Sequence, residues 1–216
     1  SVSEQRFSAL VVMGVSGSGK STLAAGVAAR AGAIFLDADD FHPPANVAKM
    51  AAGTPLADED RWPWLDRLAS GLRTIEAAGG NAVLACSALK EAYRSRIGTA
   101  GDVRFVHLAG DQATIASRLA DRKHRYMPAS LLASQFAALE RPANAVEVDV
   151  RAAVDAEAEQ IPVGFPDQRA DHRPVDARMD GDAAADRRGR AEDEVAEPVA
   201  VQVAGRVHAE AELGEG

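Results

Sequence analysis

Apolar positions in the first three-quarters of the chain fall into two alternating rhythms. Ala9-Leu10-Val11-Val12-Met13 is a continuous apolar run ending at glycine, which predicts a strand buried on both faces. Ser21 to Arg30 carries Leu23 and Val27 four apart among alanines, the pattern of a helix lying close on a sheet. Ala33 to Leu36 predicts a second strand. Leu65, Leu68, Leu72 and Ile75 then recur at helical steps behind Pro63, which is expected in the first turn, and Gly79-Gly80 ends that helix. Ala82 to Cys86 and Val103 to Leu108 predict two further strands. Asp111 is placed to cap a helix through Ile115 and Leu119; Leu132, Phe136 and Leu139 mark another, and Val146, Val148 and Val150 a last strand. Strands alternating with helices imply an α/β fold: a parallel sheet with helices on both faces.

This rhythm stops near Pro162. Residues 163–216 hold 13 acidic residues against 7 arginines, no lysine and one aromatic, Phe165, so they carry −6 of the chain's net −8. So few large apolar groups cannot offset the ordering entropy of the backbone. The expected organisation is therefore a folded domain over 1–162 and an acidic, disordered tail over 163–216. The negative balance argues against nucleic acid as a partner. No apolar run approaches the ~18 residues needed to cross a bilayer, so no membrane association is expected. A lone cysteine, Cys86, excludes an internal disulfide and suits a cytoplasmic protein.

Candidate chemistry begins at the end of the first strand. Gly14-Val15-Ser16-Gly17-Ser18-Gly19-Lys20-Ser21 satisfies G-x-x-x-x-G-K-[ST] between a predicted strand and a predicted helix, the context in which this pattern is a P-loop. Small residues let consecutive amides face phosphate oxygens, and the helix adds its positive end. Residues 14–22, ending at Thr22, are the candidate ATP cradle; Lys20 reaches the β and γ phosphates, and the Ser21 hydroxyl is placed for Mg²⁺. No N-K-x-D tetrad follows any asparagine, which argues against a guanine-specific GTPase. After the second strand comes Asp37-Ala38-Asp39-Asp40-Phe41-His42-Pro43. Strand ends of open α/β sheets face the ligand crevice, so these carboxylates are expected near the γ-phosphate. Asp39 is the candidate partner of the acceptor hydroxyl, with Asp37 nearer the metal.

Farther on lie Asn46, Lys49 and Met50, then Asp58-Glu59-Asp60-Arg61-Trp62-Pro63-Trp64-Leu65, then Cys86-Ser87-Ala88-Leu89-Lys90 with Tyr93, Arg94 and Arg96. With the P-loop and the acidic turn running into His-Pro, these five segments occur in the order and spacing of the gluconokinase family, which the chain closely resembles over roughly residues 8–161. The resemblance implies a three-layer P-loop NTPase fold of the nucleoside-monophosphate-kinase type, with Mg²⁺ and often dimeric. It implies ATP-dependent phosphorylation of D-gluconate at its terminal hydroxyl. An acceptor with one carboxylate and many hydroxyls needs a cationic clamp. His42, Lys49, Arg61, Arg94 and Arg96 are the available cations; Arg61 is the first choice for the carboxylate, since a guanidinium fork matches two oxygens. Arg94 and Arg96 are two apart, so a helix turns them to different sides. Trp62 and Trp64 are expected to pack.

The resemblance also implies a small mobile lid over about 118–130, where Arg118 and Arg122, four apart, are candidate catalytic cations, and a downstream Ser134-Gln135-Phe136 segment with Gln135 as a substrate contact. The chain departs from the family pattern there: Lys123-His124-Arg125-Tyr126 puts arginine where histidine is expected. The segment from Pro142 to Val150 is compressed, and the helix expected over 152–161 is short. Two alternatives stay open at this point: a related kinase for shikimate or another sugar acid, and a nucleotide-binding module without catalysis.

Overall fold

The computed structural model describes residues 7–121, 129–152 and 161, all within one compact unit spanning residues 1–166. Five strands form one parallel sheet: β1 (Ala9–Met13), β2 (Ile34–Asp37), β3 (Ala82–Ala85), β4 (Val103–Ala109) and β5 (Val146–Asp149), in the order β2-β3-β1-β4-β5. Among the described residues, six helices connect or follow them: α1 (Lys20–Ala31), α2 (Pro44–Ala51), α3 (Asp58–Ala77), α4 (Glu91–Gly98), α5 (Gln112–Ala120) and α6 (Ala129–Ala138), with a 3₁₀ turn at Ala38–Phe41.

Burial follows sheet position. Every residue of central β1 and of β3 is buried, while β2 and β5 are edge strands with exposed residues. Successive strand residues point to opposite faces. Leu10, Val12, Val83, Ala85, Val106 and Leu108 share one core with Leu23 and Val27 of α1 and Ile115 and Leu119 of α5. The alternate residues, Val11, Met13 and Leu84, are just as buried, and α3 contributes Leu65, Leu68 and Leu72 to the buried set outside that core. The expected α/β architecture is the one observed.

The third helix begins earlier than its apolar pattern implied. It starts at Asp58, so Pro63 stands inside it rather than in its first turn. The ring removes only the bond to the Glu59 carbonyl; both residues are solvent-exposed, so water satisfies what the helix loses. The start is fixed by Asp60, whose carboxylate accepts the Ala57 N–H at 2.9 Å, and by three acids in the first turn facing the positive helix end. Asp111 caps α5 as expected, accepting the Thr114 N–H at 2.7 Å.

Candidate active site

The phosphate loop leaves β1 and enters α1. Gly14, Gly17 and Gly19 have φ of +148°, +83° and +99°, values that L side chains rarely adopt. At Gly14 and Gly17 space is equally restrictive: a Cβ on Gly14 would stand 2.7 Å from the Leu108 carbonyl oxygen, and one on Gly17 2.5 Å from the Leu119 side chain. No side chain caps the amino end of α1, and its first turn holds no acid. That end is thus suited to an anion. The Lys20 ammonium donates to the Val15 carbonyl at 3.0 Å, folded across the loop it would serve.

Beside the loop, the Ser21 hydroxyl donates to Asp37 Oδ2 at 2.9 Å, while Asp37 Oδ1 accepts the Asp39 N–H at 3.0 Å. A hydroxyl and a carboxylate in contact at the sheet's carboxyl edge are hard oxygen donors, the kind Mg²⁺ takes when it keeps waters and phosphate oxygens as its other ligands. One side chain therefore joins the nucleotide loop to the acidic turn. Asp39 is exposed on that turn. Below it, burial pushes the Cys86 thiol up to about 12, so it is no nucleophile at neutral pH.

A second cluster follows the 3₁₀ turn. His42 stacks on Trp64, with ring centroids 4.3 Å apart, and Trp64 Nε1 donates to the Ala38 carbonyl at 2.8 Å. Trp64 thus packs, as expected. The buried Asn46 amide donates to the Asp60 carbonyl at 2.9 Å and lies 3.3 Å from His42 Nδ1. Burial holds the His42 pKa below its ordinary value, against the pull of Asp39 and with help from Arg61. A neutral ring accepting at Nδ1 is consistent with that direction. Lys49 pairs with Asp60 at 2.6 Å. Arg61 donates to the Leu56 carbonyl at 2.6 Å, lies 3.8 Å from Asp58, and stands over the Tyr93 ring. Asp58 is the hub: it accepts from Lys90 Nζ at 3.1 Å and from the Tyr93 hydroxyl, and those bonds, Tyr93's first, hold its carboxyl below the usual range. His42 and Lys49 are thereby linked through Asn46 and Asp60, and Arg61, Lys90 and Tyr93 are gathered by Asp58.

Three expected substrate contacts are placed elsewhere. Arg94 is 4% exposed and spends all five N–H groups internally: Nη1 on the Ala88 and Leu89 carbonyls, Nη2 on the Glu140 carbonyl and Glu91, and Nε on Glu91. It has no donor left for a ligand. Arg96 makes a two-point pair with Asp66, at 2.6 and 2.8 Å, and reaches over Trp62. Gln135 binds the phosphate loop itself, accepting the Ser16 N–H at 2.7 Å and donating to the Ser16 hydroxyl at 3.0 Å. Arg118 is half-buried in the last turn of α5, where its charge helps lower the Asp149 pKa; Arg122, Lys123, His124, Arg125 and Tyr126 lie outside the described residues. The roles of Asp58, Asn46, Asp60 and Glu140 were missed because, apart from His42 beside Asn46 and Arg61 beside Asp58, their partners are distant in sequence or are backbone groups.

Known proteins match the chain over its folded part. Residues 10–142 match the AAA domain family. The chain is 52% identical over 134 residues to a gluconokinase of Gluconobacter oxydans, covering 62% of this chain and 75% of that one. It is 45% identical over 133 residues to the thermosensitive gluconokinase of Escherichia coli, covering 61% and 71%. A crystal structure of a gluconokinase from Sinorhizobium meliloti superposes with a TM-score of 0.64 at 40% identity, covering 71% of this chain and 91% of that one.

Proposed function

Since the chain belongs to the gluconokinase family, we propose that it transfers the γ-phosphoryl group of ATP to the terminal hydroxyl of D-gluconate, yielding 6-phospho-D-gluconate and ADP. The observation that carries this reading is the Asp37 bridge. One carboxylate touches the P-loop hydroxyl and the backbone of the turn that presents Asp39, so nucleotide and acceptor groups share one frame.

Phosphoryl transfer depends on positioning and charge stabilisation more than on covalent chemistry. Residues 14–22 orient the triphosphate through backbone amides, and Lys20 turns from the Val15 carbonyl to the β and γ oxygens. Ser21 and Asp37 are the residues that would hold Mg²⁺, which would supply neutralisation of phosphate charge. Asp39 accepts the proton of the attacking hydroxyl as its oxygen bonds to the γ-phosphorus and the bond to the bridging oxygen breaks, releasing ADP. Arg61 and Lys49 receive the sugar-acid carboxylate, and His42, neutral, contributes hydrogen bonds to hydroxyls. Arg118 and Arg122 steady the transferring group from the lid side. The kinase domain spans 1–162, and the enzyme is read as cytoplasmic and homodimeric. No helix among the described residues is long and apolar enough to cross a membrane.

A coupled ADP assay over a panel of hydroxy acids tests the reading. Gluconate-dependent ADP release is expected; release with shikimate but not gluconate, or ATP binding without release, overturns it. In the same assay Lys20→Ala should abolish turnover. Asp39→Asn should lower kcat about 10²-fold or more with ATP affinity little changed. A near-normal kcat in Asp39→Asn removes that residue from the mechanism.

A further inference from the structure

Helix α6 and the residues just after it are fastened to two loops, the phosphate loop and the one that follows β3. Near its middle, Gln135 grips Ser16 of the phosphate loop at two points, amide oxygen to N–H and amide nitrogen to hydroxyl. Just beyond its end, Glu140 spends its backbone and its side chain on the loop between β3 and α4 and on the first turn of α4. Its N–H donates to the Leu89 carbonyl at 2.9 Å, its carboxylate accepts the Glu91 N–H at 2.7 Å, and its carbonyl accepts from Arg94 at 2.8 Å. One turn before Gln135, Leu132 is buried in the core, and between the two anchors Phe136 and Leu139 pack against that core.

The loop so held is not relaxed. Ala88 has φ +44° and is buried, a conformation an alanine keeps only when its surroundings enforce it. Arg94 holds the carbonyls of this turn, donating to Ala88 at 2.8 Å and to Leu89 at 3.0 Å while bonded to Glu140. The next residue, Lys90, belongs to the acceptor cluster through Asp58. A continuous hydrogen-bonded path therefore runs from Ser16 through Gln135, along α6, through Glu140 and Arg94, to Ala88 and Lys90.

We infer that α6 couples the two halves of the site: Gln135 positions the phosphate loop, Glu140 and Arg94 position the acceptor loop, and nucleotide bound at the first raises acceptor affinity at the second. Gln135, Glu140 and Arg94 are positioning residues that touch neither substrate. The inference rests on the gluconate reading for the identity of the acceptor and on the contacts above for the coupling. Linkage makes the effect reciprocal, and couplings of this kind typically amount to about 5–150-fold in affinity.

Calorimetric titration of the full chain with gluconate, with and without a non-hydrolysable ATP analogue and Mg²⁺, measures the coupling directly. The analogue should tighten gluconate binding about fivefold or more in the parent protein. Gln135→Leu should bring that ratio close to one, and Glu140→Ala, which loses only the contact to the Glu91 N–H, should lower it in part, both with gluconate affinity in the absence of nucleotide within about twofold of the parent. Glu140→Gln, which still accepts the Glu91 N–H, should keep the parent ratio. A ratio of one in the parent, or a parent-like ratio in Gln135→Leu, overturns the inference. A second measurement needs no variant: analogue alone should slow amide exchange across residues 86–94 of the parent chain, and unchanged exchange there overturns the coupling. If gluconate does not bind at all, the acceptor reading fails, and the exchange experiment still decides the coupling.

Discussion

A buried arginine with every donor engaged behaves differently from one waiting for a ligand. Arg94 closes five hydrogen bonds on the Ala88, Leu89 and Glu140 carbonyls and on Glu91. Removing it strands the Ala88 carbonyl, takes one of two donors from the Leu89 carbonyl, and frees the Glu140 carbonyl. Arg94→Ala should therefore lower unfolding free energy by about 3 kcal/mol or more, measured by urea titration, and Arg94→Lys should recover only part, since an ammonium has three donors and no planar fork. In the sequence this residue looked like Arg61, a cation in a motif that matched the family. Nothing in spacing separates a guanidinium turned inward onto backbone from one turned to a cleft; only the partners do, and Glu140 lies 46 residues away. The histidines give a pH signature. Burial holds both His42 and His107 below the ordinary 6.5, opposed by Asp39 at the first and by Glu147 at the second, with Arg61 near His42 and Arg141 and Arg94 near His107 adding to the lowering. A group neutral in the fold binds fewer protons there than when unfolded, so stability is full above pH 6.5 and falls as pH drops through the lowered folded values. Melting temperatures between pH 7.5 and 5 should decline, and His107→Gln should flatten that decline. An unchanged slope in the variant assigns it to other groups.

At the scale of elements, the phosphate loop was legible because its demands are local. Small residues, positive φ and a strand-to-helix context all lie within eight consecutive positions. Gly14→Ala tests how tightly they bind the design: its Cβ meets a backbone carbonyl oxygen at 2.7 Å, and backbone cannot rotate away. Stability should fall by about 1–3 kcal/mol, with ATP affinity falling too, read by thermal melts and nucleotide titration. The start of α3 was less legible, since the apolar period begins only at Trp64 and Leu65 while the acidic first turn before Pro63 reads equally as a polar loop. The short helix α2 was misleading to periodicity, because its apolar Val47 and Met50, three apart, are exposed while Asn46 is its buried residue. Its position is set by hydrogen bonds to Asp60, which no periodicity records. Sheet order was legible only as a class: alternation announces parallel strands, but which strand lies beside which depends on crossovers that the local pattern does not encode.

For the whole molecule, the folded body needs a little more than its sheet. Ile161 is 3% exposed within the core, and its carbonyl accepts from Arg30 of α1 at 3.1 Å. A chain ending at Pro162 keeps that contact and should retain gluconate-dependent ADP release; one ending at Ala152 loses it and should melt several degrees lower. Loss of activity in the longer truncation gives residues 163–216 a part in the kinase domain. The strand order carries a further consequence for how the protein is made. Ala9 in the central strand lies beside Ala82 on one side and Val103 on the other. Synthesis proceeds from the amino end, so this most apolar of segments leaves the ribosome long before either neighbour exists. Distant pairing of this kind slows collapse to the native topology. Until residue 103 has emerged, the nascent chain carries a sticky, unmatched ribbon, and protection of that ribbon during translation is a requirement written into the topology itself.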